Sequence, residues 1–298
     1  MSTRRLRGDP VAATLRAEVR ERVATLGERG RVPTLATVLM SDDPTDERFV
    51  ELKHDACDEV GIETRDCRFA PDAPAQELYE TVERLSTAVA VDAVFVQVPL
   101  PERVSVPEVR RRIVPEKDVD CFHPENVGRL VAGDPRFVPA TPAAVQHLLA
   151  AYGISTAGQD VVIVGRSDAI GKPLANLLVG KGPGGDATTT VCHSYTRNLA
   201  AKTRRADVVV TACGVPELVD GSMLSPGVVV VDVSANRRSK SGDGGGSGGE
   251  LVGDVDFESA TEKASAITPV PGGIGPVTLA ALVGNVVRAA EGRAGNDE

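Results

Sequence analysis

Val161-Val-Ile-Val-Gly165-Arg-Ser-Asp-Ala-Ile-Gly171-Lys-Pro173 reads as a short apolar strand, a glycine turn and the proline-marked start of a helix. A phosphate needs backbone N–H groups and a helix N-terminus pointed at it, and a tight glycine turn after a strand supplies both. The spacing is G-x-x-x-x-x-G rather than G-x-G-x-x-G, so the turn alone also suits an ordinary βα connection. With the strand before it and the helix after it, the segment is expected to hold a dinucleotide through Gly165, Arg166, Ser167, Ile170 and Gly171.

Outward from this turn the pattern repeats. Strands are expected at Thr188 to Cys192, Asp207 to Ala212 and Val228 to Val233, with helical segments separating the strands that begin at Val161, Thr188 and Asp207. Upstream, Pro139 to Tyr152 starts the unit with a helix, Thr141 reading as its N-cap and Pro142 as its first residue. The N-terminal half alternates in the same way. A helix over 9–28 precedes a buried strand at Val32 to Met40. A helix from Thr45 to Gly61, a weak strand from Glu63 to Phe69, a helix from Ala75 to Val89 and a buried strand from Ala93 to Val98 follow. Two successive βαβ series predict an α/β protein of two domains with mostly parallel sheets.

The second strand of this series, the first after the glycine turn, ends at Cys192-His193-Ser194. An NAD site places a carboxylate near there for the ribose 2′-hydroxyl. This stretch has no acid; Ser194 and Arg197 stand there, and Arg166 sits in the turn. Arginine and hydroxyl donors favour NADP, although both arginines also fit as solvated surface residues.

Composition removes several function classes. The net charge is −9, with no basic stripe carrying interleaved aromatics, which argues against nucleic acid. No apolar run approaches the roughly 18 residues of a membrane span. The N-terminal MSTRRLR has basic residues but no apolar stretch after them, unlike a secretory signal. Five widely spaced cysteines, without a C-x-x-C, read as reduced cytoplasmic thiols rather than a disulfide or zinc framework. Of the 33 basic residues 26 are arginine, which fits either a salt-adapted source or codon bias.

Three segments of the first half carry candidate chemistry. In Phe49-Val-Glu-Leu-Lys53-His-Asp-Ala-Cys57 the spacing of four puts Phe49, Lys53 and Cys57 on one helical face. A lysine in such a stripe either snorkels to solvent or is a buried amine whose lowered pKa suits proton transfer. Gln97 ends a buried strand in Val94-Phe-Val-Gln-Val-Pro-Leu-Pro101, either as a hydrogen-bonded core amide or as a ligand contact at the carboxyl end of the sheet. In Pro115-Glu-Lys-Asp118-Val-Asp120-Cys121-Phe-His123-Pro-Glu-Asn126, Asp120 suits either a solvated loop or two hydrogen bonds from an amino-pyrimidinone edge. His123 has no second ligand at metal-site spacing, so it is read as structural and no metal is expected.

Ile267-Thr-Pro-Val-Pro271-Gly272-Gly273-Ile-Gly-Pro-Val-Thr278 packs three prolines and three glycines into a loop fit for close approach to a flat ligand. Thr278 reads as the cap of a final helix, Leu279 to Glu291. This stretch resembles the PGGVGPMT ending of the methylenetetrahydrofolate dehydrogenase/cyclohydrolase family. VGRSDAIGKP and VCHSYT resemble that family's VVGRSxxVGxP and CHSxT. FVELKHDAC, VQVPLP, PEKDVDCFHPENVG and FVPATP resemble its YVxxKxxxC, VQLPLP, PxKDVDGFHPxNxG and FxPCTP. The ordered match runs from about residue 30 to about 290. Phe49 stands for the usual tyrosine, Cys121 for a glycine and Ala140 for a cysteine.

The resemblance implies a two-domain enzyme, commonly a homodimer, with folate in the cleft between domains and a C-terminal helix that returns to the first. It implies 1–138 and 278–298 as the catalytic, folate-binding domain and 139–277 as the Rossmann-like NADP-binding domain. Lys53 falls on the family's catalytic lysine, Gln97 on its partner and Asp120 on the pterin-reading aspartate. Phe49, Val98, Pro99, Leu100, Pro271, Gly272 and Gly273 fall at substrate positions. Thr141, His193, Ser194, Ala212, Gly214 and Val233 join the turn residues at cofactor positions. The implied activity is NADP-dependent oxidation of 5,10-methylenetetrahydrofolate followed by hydrolysis to 10-formyltetrahydrofolate. A monofunctional dehydrogenase, or a shikimate-dehydrogenase-like oxidoreductase with a Lys/Asp pair, is the alternative. Formate-tetrahydrofolate ligase chemistry is not expected, because the chain lacks G-x-x-x-x-G-K-S/T.

Overall fold

The computed structural model describes residues 3–238 and 249–294; the glycine-rich loop expected over 239–249 lies outside them except for Gly249. In chain order the first elements are β1 (Arg4–Arg5), α1 (Asp9–Glu28), β2 (Thr34–Leu39), α2 (Pro44–Val60) and β3 (Glu63–Arg68). Next come α3 (Ala75–Thr87), β4 (Ala93–Val96), α4 (Val106–Arg112) and α5 (Pro124–Ala132). The second half holds α6 (Ala140–Ala151), β5 (Asp160–Val164), α7 (Gly171–Val179), β6 (Thr188–Cys192), α8 (Leu199–Thr203) and β7 (Val208–Thr211). It closes with β8 (Val229–Asp232), β9 (Asn236–Arg238), β10 (Glu250–Val252), α9 (Phe257–Thr261), β11 (Ala266–Ile267) and α10 (Ile274–Ala294). The chain forms two compact units, one from Ala13–Ala140 and the chain from Leu279, the other from the chain up to Ala12 and Thr141–Thr278. Among the described residues no helix is long and apolar enough to cross a membrane.

The unit of residues 13–140 is built on a three-stranded parallel sheet in the order β3-β2-β4. All six residues of β2 are buried, as its continuous apolar run requires of a central strand. The charged β3 is an exposed edge. Ala36, Val38, Val94, Leu78, Val82 and Val109 share one core on this sheet. Asp43 caps α2 by accepting from Thr45 N (2.7 Å), Pro44 follows at its first position, and Gly61 ends it at φ 83°. His123 is structural: its Nδ1 accepts from Glu125 N at 3.1 Å and so caps α5. The C-terminal helix completes this unit as expected. Asn285 Nδ2 donates to Val119 O (2.9 Å) and Val138 O (2.8 Å), and Arg293 Nη1 pairs with Asp92 at 3.1 Å.

The other unit carries a six-stranded parallel sheet, β1-β11-β8-β7-β5-β6, and a separate antiparallel β9-β10 ribbon. Its core joins Val162, Val164, Val209, Val230 and Ile267 to residues of α9 and the loops. The described residues 3–12 pack with this unit, because Arg4 and Arg5 pair in parallel with Ala266 and Ile267.

Two expected caps lie inside helices. α6 begins at Ala140, so Thr141 occupies its first turn. α10 begins at Ile274, so Thr278 is its fifth residue and part of the proline-glycine stretch is already helical. A proline in the first turn has no intrahelical N–H to lose, so Pro142 and Pro276 do not delay either start.

Candidate active site

In the unit of residues 13–140, Lys53 leaves α2 and points to the end of β4. Its Nζ donates to Gln97 Oε1 at 3.1 Å and to Phe49 O at 3.0 Å. Gln97 is 7% exposed, and its own Nε2 donates to Val98 O at 2.7 Å. That second bond fixes which end of the amide faces the amine. The ammonium lies 4.4 Å from the Phe95 ring centroid and 5.8 Å from that of Phe49. Burial in this apolar surround lowers the Lys53 pKa to about 8, against a weaker upward pull from Asp120 and Asp46. Phe49, Lys53 and Cys57 do share a face, and it descends from the 45% exposed Phe49 to the fully buried Cys57.

Asp120 follows a buried anchor. Asp118 accepts from Phe122 N (3.1 Å), His123 N (2.8 Å) and Asn126 Nδ2 (2.8 Å), which holds the turn that carries Asp120. Burial and the neighbouring Asp118 push the Asp120 carboxyl up to about 7, with Lys53 and Arg110 pulling it down. Cys121 then sits at φ 59°, the left-handed region that favours glycine. This accounts for the glycine of the related motif at this position. Val98, Leu100, Arg110, Asp120 and Phe122 line one small cavity, with the Arg110 guanidinium 4.5 Å over the Phe122 ring. Pro99 is exposed beside it.

Three contributors escaped the sequence reading: Phe95, Asp46 and Arg110. Phe95 was within reach, because residues two apart on a strand share a face with Gln97. Asp46 is buried and accepts from Ser41 Oγ at 2.7 Å, a contact no local pattern announces.

The other unit contains the glycine turn. Gly165 has φ 137°, and a Cβ there would lie 2.2 Å from Ala212 O. A Cβ on Gly171 would lie 2.2 Å from Gly165 O. Both glycines are therefore required by close backbone approach at the start of α7. Ser167 Oγ accepts from Ile170 N at 3.1 Å and shapes the turn. Past β6, His193 Nδ1 accepts from Tyr195 N at 3.2 Å, Ser194 and Arg197 are exposed, and the Arg166 guanidinium lies 5.8 Å over the Tyr195 ring. The loops after β7 and β8 bring Gly214 N to 3.3 Å from Ser234 Oγ, and Val233 N bonds to Thr211 O at 2.9 Å. Thr141 is half-buried in α6. Pro271, Gly272 and Gly273 belong to this unit, where Gly8 N donates to Gly272 O at 2.9 Å. The turn fits a dinucleotide: the two glycines let it pack tightly between β5 and the N-terminus of α7, the arrangement that suits a diphosphate, and no acid stands among His193 to Arg197.

Comparison with known proteins finds one family over both halves of the chain. Residues 6–120 match the family model described as the catalytic domain of tetrahydrofolate dehydrogenase/cyclohydrolase, and residues 139–294 match its NAD(P)-binding domain. The bifunctional protein FolD of Haloquadratum walsbyi is 53% identical over 96% of this chain and 91% of that protein. The crystal structure of the bifunctional FolD enzyme from Campylobacter jejuni superposes with TM-score 0.91 at 38% identity, covering 98% of this chain and 100% of that one. The Trypanosoma brucei enzyme, solved with NADP and an inhibitor, gives TM-score 0.92 at 35% identity over 99% of both chains. The chain belongs to the tetrahydrofolate dehydrogenase/cyclohydrolase family.

Proposed function

We propose that this chain oxidises 5,10-methylenetetrahydrofolate with NADP and then hydrolyses the methenyl cation to 10-formyltetrahydrofolate. The unit of residues 13–140 and 279 onward is the catalytic, folate-binding one, and the other binds NADP. The observation that carries the reading is the buried Lys53 amine, lowered to about 8 and aimed by the fixed Gln97 amide. Near neutral pH such an amine exists in both protonation states and so moves protons in either direction. When bound, NADP takes up the hydride that leaves the bridging carbon. The N–H groups of the Gly165–Gly171 turn would hold its diphosphate, and Arg166, Ser194 and Arg197 would bind its 2′-phosphate.

In the hydrolytic step a water oxygen bonds to the methenyl carbon and Lys53 accepts one water proton. The ammonium so formed returns a proton to N5 as the carbon–N5 bond breaks, and the remaining hydroxyl proton goes to solvent. Ionised Asp120 accepts from the amino-pyrimidinone edge and fixes the ring. The Phe49 ring stacks on the folate. All five cysteines are free thiols, which supports a cytoplasmic setting, and the family resemblance supports a homodimer.

The test is a two-step absorbance assay, following NADPH formation from methylenetetrahydrofolate and then loss of methenyltetrahydrofolate. Turnover of shikimate or a hydroxy acid in place of the folates would overturn the reading. NADP is used in preference to NAD, and Arg166→Ala lowers that preference by roughly ten- to a hundredfold, the worth of one charge-assisted contact. Equal catalytic efficiency with both cofactors in the unmutated protein contradicts this.

Phe49→Tyr changes hydrolysis more than hydride transfer. The ring supplies stacking in either form, whereas the phenol adds a hydrogen-bonding group beside Lys53 worth about 0.5–1.5 kcal/mol, a severalfold effect. Measuring both rates in one buffer decides; a shift in hydride transfer with hydrolysis untouched shows that ring position matters instead.

A further inference from the structure

Asp254 lies immediately after β10 and Gly253 and is completely buried. Its carboxylate accepts six hydrogen bonds from two loops. From the loop after β7 come Cys213 N (2.7 Å), Gly214 N (3.2 Å), Val215 N (2.8 Å) and Cys213 Sγ (3.2 Å). From the loop after β8 and the start of β9 come Ser234 Oγ (2.7 Å) and Asn236 Nδ2 (2.9 Å). All six donors are neutral, so the charge is held by oriented dipoles alone, and its pKa is lowered by them against the cost of burial. A second buried carboxylate locks the segment in place. Asp232 accepts from Val255 N at 2.8 Å, from Ser234 N at 3.2 Å and from Thr211 Oγ1 at 3.1 Å. Gly253 passes so close that a Cβ there would meet the Asp232 carboxylate at 1.9 Å.

The two loops stand at the carboxyl ends of adjacent parallel strands, where sheets of this kind receive ligands. The β7 loop also meets the glycine turn, since Ala212 O fills the space that a Gly165 Cβ would take. Three successive N–H groups turned onto Asp254 force the carbonyls of Ala212, Cys213 and Gly214 to the opposite side of their planar peptides. One carboxylate thereby sets which backbone groups both loops present at the ligand edge.

We propose that Asp254 is a positioning residue for the reactive, nicotinamide-ribose half of the dinucleotide, acting through the loops after β7 and β8. The inference rests on the NADP reading above. The adenosine half depends on the glycine turn and the loop after β6, which Asp254 does not touch in any of its six bonds.

The experiment measures binding of NADP and of 2′,5′-ADP, which lacks the nicotinamide half, together with both activities, in the full chain and in Asp254→Asn. An amide turns one donor group toward N–H groups that need an acceptor. We expect NADP affinity or hydride-transfer efficiency to fall roughly ten- to a hundredfold, the worth of a hydrogen bond to a charged group. Binding of 2′,5′-ADP and methenyl hydrolysis stay unchanged. Ser234→Ala removes one donor to the carboxylate and the weaker of the two acceptors of Gly214 N and gives a smaller loss in the same direction, which keeps the test decisive should Asp254→Asn fail to fold. Parallel weakening of NADP and 2′,5′-ADP in the folded variants, or no change in either, overturns the proposal. Absence of NADP binding by the unmutated protein overturns the NADP reading instead.

Discussion

Lys53→Met removes methenyl hydrolysis, by about 10²–10⁴-fold, while the protein stays folded. The replacement keeps the length of the side chain and an apolar, polarisable end beside the Phe95 ring, 4.4 Å from the original amine. Two stability effects oppose each other. The burial that lowers the Lys53 pKa to about 8 is relieved. The Gln97 Oε1 acceptor loses its partner, at a cost of about 1–3 kcal/mol if it stays dry. The melting temperature is therefore expected to move little, whereas no other amine is placed at Gln97 by the hydrogen bonds seen there. Rates at saturating methenyltetrahydrofolate, with a thermal melt by circular dichroism, check this. A folded variant with near-normal hydrolysis contradicts the assignment.

Gly171→Ala separates the two activities. An added methyl would meet Gly165 O at 2.2 Å and Arg166 Cα at 2.9 Å, and these are backbone atoms that cannot swing aside as a side-chain tip does. Overpacking of this kind costs typically 1–3 kcal/mol. The turn has to open, and its N–H groups leave the positions that face a diphosphate. Loss of two charge-assisted contacts weakens NADP binding by at least about a hundredfold. Lys53, Gln97 and Asp120 lie in the other compact unit, so hydrolysis of supplied methenyltetrahydrofolate persists. Titration with NADP and the hydrolysis assay measure the two effects side by side. Tight NADP binding by the folded variant contradicts the role given to the turn.

The long periodic elements were legible because their patterns are local. The apolar run in β2 and the stripe of α2 declared their period, and Gly61 marked the end of that helix. Elements held by partners far along the chain were not legible. β1 is two exposed arginines whose strand character comes from pairing with Ala266 and Ile267, and nothing in their own pattern announces it. Thr141 and Thr278 look like caps by residue type, but first-turn prolines let both helices begin earlier. Within the site, spacing placed Lys53 on an apolar face, yet the choice between snorkelling and burial needed Phe95 and Gln97, which arrive from another element. Asp254 gave no signal at all. One acid in LVGDVDF is unremarkable until six donors from two distant loops converge on it.

If Lys53 handles the proton of the attacking water, as proposed, the pH dependence of kcat/KM for methenyl hydrolysis carries its signature. Two groups of the free enzyme set that profile. Asp120 must be ionised to accept from the pterin and titrates near 7, and Lys53 must be neutral to accept the water proton and titrates near 8. Both requirements are met as pH rises, so their effects reinforce each other and no falling limb arises from them. After subtraction of the uncatalysed reaction, the rate is expected to climb steeply below pH 7, bend through the region of 7 to 8 and level off above it, with the upper bend lost in Lys53→Met. A midpoint at the ordinary lysine value near 10.5, or a rising limb that survives Lys53→Met unchanged, contradicts it.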